Sequence, residues 1–437
     1  MEKNARAAAL EALEKCRRNG AWSGAVLDGI IKKEGLAGRE AALASRLLLG
    51  VLQNGSLCDF YIDCYSGGKK LEPKVRDILR LGVYQLLFLD KIPARAAVSE
   101  SVSLCASSGL KRAAGLVNAV LRRVAENKED LPPIPGEGTA EHLSIKYSHP
   151  LWLAKRVSAE RGYDFAESFF ACNNQPPALT IQINTLKVTA EDYTRALERY
   201  DIKYTRCAFP ENSIELNSGN VSALPGYEEG LFYVQDRAAR AAVEIADVKS
   251  GTRVLDACAA PGGKSLAAAI KMENQGEIIS CDIHEKKLRL IKENADRLGI
   301  EIISVSCNDA RTPREEFLKK FDTVIADVPC SGIGVIRKKP EIRFKKEEEL
   351  SGLADIQLNI LAQLSDYVKP GGTLLYSTCT VLREENEGVV ERFLSEHSDF
   401  ALCPFAVGNI QSDSGMYAFW PNVDGTDGFF AAKLVKR

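Results

Sequence analysis

The sequence predicts a multidomain protein in which an all-α bundle is followed by a small α/β module and then a doubly wound, Rossmann-like α/β domain. Three observations carry that prediction. Helix periodicity runs through residues 1–127, the texture changes to short strands after residue 177, and from residue 251 buried-strand runs alternate with amphipathic helices. A chain of 437 residues, 45% apolar and 27% charged, also exceeds what one hydrophobic core ordinarily organises.

The bundle comes first. ARAAALEALEKC, WSGAVLDGIIKK, REAALASRLLLGVLQ, KVRDILRLGVYQLLFL, AAVSESVSLCA and GLVNAVLRRVAE each place apolar residues at spacings of three and four, with Gly and Pro between the runs. They predict six or seven helices with their own core over residues 1–130. LPPIPGEGT is rich in Pro and Gly and reads as a linker, which with the helical HPLWLAKRVSAERG makes a connector over 131–170. ALTIQIN, AEDYTRALERY and IKYTRCAFPENSIEL then describe an α/β module over 171–235, either a contact platform or a structural brace.

Residues 236–437 hold the doubly wound domain. RVLDACA, EIISCDI, EIISVSC, FDTVIADV and GTLLYSTCT read as buried strands, with helices such as HEKKLRLIKENADRLG between them. This alternation calls for a parallel sheet with right-handed crossovers, and ligands in such sheets sit at the carboxyl ends of the strands.

Composition narrows the function. The N-terminus lacks the uninterrupted apolar core of an export signal, and no stretch reaches the roughly 18 apolar residues of a membrane span. Twelve cysteines without a CxxC pair, with four histidines, fit neither a zinc cluster nor a disulfide framework, so reduced thiols in the cytoplasm are expected, with no metal. Net charge is −2 overall, but about +6 over residues 1–130 and about −8 beyond. That asymmetry suits a basic module that orients a nucleic acid, and it also lies within ordinary scatter.

The ends of the predicted strands carry the chemistry. The first ends in Asp256-Ala-Cys-Ala-Ala-Pro-Gly-Gly-Lys-Ser265, a small-residue turn leading into a helix. A P-loop needs Gly where Cys258 stands, and GxGxxG is absent. The second ends in Asp282, about 20 residues after the glycines, where a carboxylate accepts ribose hydroxyls. The third ends in Asn308-Asp309, placed to meet an adenine edge. The ladder fits an adenosyl cofactor without a pyrophosphate. The fourth ends Asp327-Val-Pro-Cys330-Ser-Gly and the fifth Ser377-Thr-Cys379-Thr, so both thiols fall on the cofactor side. Cytosine C5 is a poor nucleophile until something adds to C6, and a thiolate does so reversibly. A carboxylate such as Asp327 can hold N3 and N4 of the ring. Chemistry alone does not choose between the two thiols.

CAAPGGK, DVPCSGIGVIRKKPEIRF, YSTCT with ENE following, and the terminal DGFFAAKL resemble the RNA cytosine-C5 methyltransferases. LRLGVYQLLFLDKIPARAAVSESVSL and GLVNAVLRR resemble the NusB-like domain of the bacterial small-subunit rRNA members, the Sun or Fmu type. The resemblance spans nearly the whole chain. It implies a class I S-adenosylmethionine-dependent methyltransferase fold, Cys379 as nucleophile and Cys330 in product release. It also implies that Cys258, Ala259, Ala260, Pro261, Gly262, Gly263, Lys264, Asp282, Asp309 and Asp327 line the cofactor and target pocket, with Lys264 pairing with a carboxylate there or reaching the base. Gln235 and Asp236 resemble a family Gln-Asp pair, read as structural. The basic run Arg337, Lys338, Lys339, Arg343, Lys345 and Lys346 is expected to grip the RNA backbone beside a flipped base; its plainer reading is a solvated helix start.

The expected activity is methyl transfer from S-adenosylmethionine to C5 of one cytidine of 16S rRNA, cytosine 967 in the family, by a monomer acting through a Cys379 adduct. A tRNA cytosine-C5 methyltransferase and a non-catalytic RNA-binding or antitermination factor are the rival expectations. The NusB-like half disfavours the first, and intact site residues disfavour the second.

Overall fold

The structure is a computed structural model, which describes residues 4–19, 22–216 and 220–437. The chain divides into two compact units, residues 1–175 with 336–349, and residues 176–335 with 350–437.

In the helical unit, α1 (Ala5–Asn19), α2 (Ser23–Glu34), α3 (Gly38–Gln53), α4 (Gly55–Ser66), α5 (Pro73–Phe88), α6 (Ala94–Ser107) and α7 (Ala114–Glu126) enclose one core. Leu47, Leu48, Ile78, Leu79, Val117 and Leu121 are among its fully buried members. α4 has no counterpart among the predicted runs. Its sequence GSLCDFYIDCYS is a poor helix former, yet Cys58, Tyr61 and Ile62 fall at spacings of three and four and are buried, so packing overrides propensity. Asp77, buried on α5, accepts from Arg17 at 3.1 Å and Arg80 at 2.9 Å. Three further helices, α8 (Ala140–Lys146), α9 (Leu151–Arg161) and α10 (Tyr163–Asn173), continue the same unit, where the sequence showed a single helical connector. Thr139 caps α8 by accepting from His142 N.

The second unit opens with β1 (Leu179–Ile183), α11 (Ala190–Arg199), β2 (Tyr204–Arg206), β3 (Ser213–Leu216) and β4 (Phe232–Val234). They form an antiparallel sheet in the order β2-β3-β1-β4 over a core of Ile181, Tyr193, Leu197 and Phe232. α12 (Arg237–Ala246) leads into β5 (Arg253–Asp256), α13 (Gly263–Lys271), β6 (Glu277–Asp282), α14 (Glu285–Leu298), β7 (Ile303–Cys307), β8 (Phe321–Asp327), α15 (Leu353–Ser365), β9 (Val368–Thr378) and α16 (Glu387–Glu396). β10 (Phe400–Leu402), β11 (Phe405–Val407), β12 (Ile410–Ser412), β13 (Met416–Phe419), α17 (Pro421–Asp424) and β14 (Phe429–Lys436) complete the chain.

The large sheet runs β10-β14-β9-β8-β5-β6-β7, with β13 on β14. β7, β6, β5, β8 and β9 are mutually parallel, as the alternation of strand and helix required. β14 lies antiparallel to β9, so the sheet is mixed. Successive residues of the central strands serve opposite faces. Val254, Ile325, Leu375 and Ala431 pack with α12 and α13, while Leu255, Val324, Leu374 and Ala432 pack with α15 and α16. Both faces are covered, and the carboxyl edge of the parallel strands remains for a ligand.

Candidate active site at the carboxyl edge of the sheet

Each parallel strand delivers one side chain to this edge. β5 ends in Asp256, fully buried, which accepts from Ser265 Oγ at 2.7 Å; Ser280 Oγ donates to Ser265 in turn. Burial pushes the Asp256 carboxyl up to about 7, with the Asp327 and Asp282 charges adding to the rise and the Ser265 hydrogen bond and Lys264 opposing it. Asp256 is the first carboxylate of the strand-end ladder, and its burial is visible only in the fold.

Residues 258–263 turn from β5 into α13. Gly262 has φ +107°, and a Cβ there would meet Ile291 at 3.1 Å, so the turn needs glycine. Gly263 lies against the Gln235 side-chain amide. Asp236, the other half of that pair, caps α12 through Ala238 N. Asp282 ends β6 and accepts from Ala260 N at 3.2 Å and His284 N at 2.8 Å, which joins the turn to the second strand. A carboxylate has about four acceptor sites, so two backbone donors leave capacity for ribose hydroxyls. Beyond β7, Asp309 is held by Arg311 Nε at 3.0 Å and Nη2 at 2.7 Å, and these bonds lower its pKa.

β8 and β9 are neighbours, with Asp327 in register with Ser377. Ser377 Oγ donates to Asp327 Oδ1 at 2.8 Å, and Lys264 Nζ from α13 lies 2.7 Å from Oδ2. The ammonium also stands 5.0 Å from the centre of the Phe429 ring. Cys330 and Cys379 follow these strand ends, and their Sγ atoms are 3.2 Å apart. The contact with Cys379 and then burial push the Cys330 thiol well above its ordinary range.

A second layer fixes both thiol loops. Buried Glu385 accepts from Ser331 N at 2.8 Å and from Gln357 Nε2 at 2.9 Å, and Gln357 also donates to Pro329 O. Ser331 Oγ and Thr380 Oγ1 are 2.8 Å apart. Asn386 bonds the Cys379 loop on both sides, to Thr378 Oγ1 at 2.5 Å and Thr380 O at 3.1 Å. Gly334 N donates to Cys379 O, and a Cβ on Gly334 would fall 1.9 Å from Gly428 O. Sequence reasoning recorded ENE as part of a motif without giving Glu385 or Asn386 this role, and Gln357, in the middle of α15, carried no signal.

A cavity of about 510 Å³ opens at this edge. Cys258, Ala260, Asp282, Asp309, Asp327, Cys330 and Cys379 all line it, with exposed Ile283 and with Ile356 supplying apolar surface. The donor set suits a nucleoside: carboxylates at strand ends for hydroxyls and an exocyclic amine, beside apolar side chains for a base. Among the described residues, no group of three or more His, Cys, Asp or Glu is placed to hold a metal ion. No described helix is long and apolar enough to cross a membrane.

The basic run after the Pro-Cys loop divides. Ile336–Glu349 belongs to the helical unit, not to the domain in which the sequence reading placed it. Arg343, expected to contact RNA, is 7% exposed; its guanidinium donates to Asn174 Oδ1 at 2.6 Å and to the carbonyls of Ile336 and Asn173. Burial pulls its pKa down to about 9. A side chain so enclosed does not reach a phosphate, so Arg343 is a structural residue and not an RNA contact. Lys338 and Lys339 are exposed and Arg337 is half-buried.

The sheet order and the carboxylate-lined edge define a Rossmann-like methyltransferase domain behind a helical domain and a small α/β module. Comparison with known proteins agrees over each part. Residues 3–126 match the NusB family, 149–222 the ferredoxin-like domain of RsmF/B-like methyltransferases, and 243–435 the 16S rRNA methyltransferase RsmB/F model. The chain is 37% identical over 440 residues to the probable ribosomal RNA small subunit methyltransferase B of Bacillus subtilis, covering 98% of both proteins. It is 30% identical to ribosomal RNA small subunit methyltransferase B of Escherichia coli O157:H7, covering 100% of this chain and 99% of that one. A methyltransferase homolog protein from Pyrococcus horikoshii superposes on 68% of the chain and 98% of its own length, with a TM-score of 0.59 at 26% identity. The chain belongs to the RsmB/F family of 16S rRNA methyltransferases.

Proposed function

We propose that the protein transfers a methyl group from S-adenosylmethionine to C5 of a cytidine in small-subunit rRNA, with cytosine 967 as the target position. One observation carries the chemistry: two thiols 3.2 Å apart and Asp327, paired with Lys264 at 2.7 Å, line one cavity at the ends of adjacent strands. The relatives' names support the rRNA substrate, and the NusB-family match supports an RNA-directed enzyme over a small-molecule one.

The turn from Cys258 to Lys264, with Asp282 and Asp309, would hold the cofactor, and Ile283 and Ile356 would supply apolar contacts to its base. Bound there, S-adenosylmethionine supplies an electrophilic methyl group to C5. The chain's own residues make C5 reactive. Cys379 adds as thiolate to C6, which places electron density on C5. Cytosine N3 is an acceptor and N4 a donor, and the Lys264 ammonium and Asp327 carboxylate form a donor-acceptor pair of matching polarity. After transfer a water takes the C5 proton, the electron pair of that bond restores C5=C6, and Cys379 departs as thiolate. Cys330, in contact with Cys379, assists this release. The target base must be unstacked to enter.

Cys379→Ala is expected to abolish methyl transfer. Cys330→Ala is expected to stall release and leave protein covalently bound to RNA, seen as a complex that survives denaturing electrophoresis. A Cys379→Ala enzyme that still forms such a complex would reverse the two roles.

A further inference from the structure

The helical unit carries an aromatic and cationic surface outside the cavity. Trp22 is 53% exposed and precedes α2, in a chain with only three tryptophans. Lone exposed apolar residues are ordinary, so exposure alone says little. Here it coincides with an ordered framework. Glu341 accepts from Ser23 N at 3.2 Å and from Ser23 Oγ at 2.8 Å, which fixes the segment 336–349 beside the residue that follows Trp22. From that segment Lys339 places its Nζ 4.7 Å from the centre of the Trp22 indole. Lys338 is exposed next to it, and Arg18 is exposed in the last turn of α1, four residues before Trp22. Phe344, three residues beyond Glu341, is 51% exposed.

An exposed ring with a lysine ammonium at its face is the arrangement that receives a single-stranded nucleic acid, with a base stacked on the aromatic and phosphates near the ammonium groups. We propose that Trp22, with Lys338 and Lys339, forms a stacking platform for an unpaired nucleotide of the RNA substrate, separate from the nucleotide that is methylated. The proposal rests on the RNA-directed reading above and adds a surface to it. The charge of the patch selects RNA over an uncharged apolar partner, and the indole gives the site a preference for unpaired over duplex RNA, whose bases are stacked within the helix.

The test uses the full chain and a fluorescently labelled, unstructured 12-nucleotide RNA, with affinity read by anisotropy. Stacking on one aromatic is worth roughly fivefold to 150-fold in affinity. Trp22→Ala is therefore expected to weaken binding about tenfold, while Trp22→Phe, which keeps a ring, stays within about threefold of the parent. Because Trp22 is exposed, both variants are expected to keep the parent's melting temperature. RNA is also expected to quench part of the intrinsic tryptophan fluorescence in the parent and not in Trp22→Phe. Unchanged affinity of Trp22→Ala overturns the platform, as does a Trp22→Ala effect confined to self-association of the chain. Methyl transfer by the parent is measured on the same preparation. If transfer persists while Trp22→Ala binds normally, only the platform falls; if the parent neither binds nor methylates RNA, the functional reading falls with it.

Discussion

Glu385 offers the sharpest test of how the two thiol loops are held. Its buried carboxylate is a shared acceptor for Ser331 N at 2.8 Å, Gln357 Nε2 at 2.9 Å and, more loosely, Thr380 Oγ1 at 3.4 Å. Ser331 follows Cys330 and Thr380 follows Cys379, so one side chain restrains both. Glu385→Ala leaves Ser331 N without a partner and Gln357 Nε2 with Pro329 O alone, each lost bond costing about 1–3 kcal/mol, and opens a small cavity. A loss near 4 kcal/mol is expected in the stability of the catalytic unit. Trp420 reports on that unit, so urea unfolding followed by fluorescence in a Trp22→Phe, Trp152→Phe background isolates it. Glu385→Gln keeps one carbonyl oxygen and is expected to fall between the two. Methyl transfer by Glu385→Ala, measured where it remains folded, is expected to drop at least a hundredfold, since a 1 Å misplacement of reacting groups has effects of that size. A Glu385→Ala protein within about 1 kcal/mol of the parent, with an unchanged rate, would refute the reasoning.

Two further predictions concern buried charges. Asp256 has a folded-state pKa raised from 3.8 to about 7, so the folded protein keeps a proton that the unfolded chain releases near pH 4. The associated stability is fully present below about pH 4 and is lost as pH rises through 7, with a slope approaching 1.4 kcal/mol per pH unit between. Asp256→Asn should flatten that interval; an unaltered slope in urea-unfolding series across pH would exclude Asp256 as its source. Arg343→Ala should destabilise the helical unit by about 3 kcal/mol, because it leaves Asn174 Oδ1 and two carbonyls without their donor, yet leave the salt dependence of RNA binding unchanged. Lys338→Ala should lower the salt slope by about 0.7 to 0.9, one phosphate's share. The reverse pattern would restore Arg343 as an RNA contact.

What was legible in the sequence followed periodicity and local chemistry. The long amphipathic helices and the five parallel strands stand out because each has its own apolar rhythm over many residues. α4 does not, since Cys58, Tyr61 and Ile62 give only a short apolar rhythm within a segment of poor helix formers. DGFFAAKL stands out only as a motif of the resemblance; that Phe429–Lys436 forms β14 antiparallel beside β9 depends on tertiary pairing. The residues at strand ends were legible as a set because topology directs every carboxyl end to one edge, and resemblance distinguished Cys379 from Cys330. Glu385, Gln357 and Arg343 act through burial and partners remote in sequence. A charged residue in a run of lysines looks solvated until the fold shows what encloses it.

The most direct test of the central claim is incubation of the protein with labelled S-adenosylmethionine and unmethylated total RNA, resolved into small-subunit rRNA, large-subunit rRNA and tRNA, then digested to nucleosides. The account predicts label in 5-methylcytidine from small-subunit rRNA and its absence with Cys379→Ala. Label in another nucleoside would contradict the thiol chemistry, and label in 5-methylcytidine from tRNA alone would keep that chemistry and contradict the substrate.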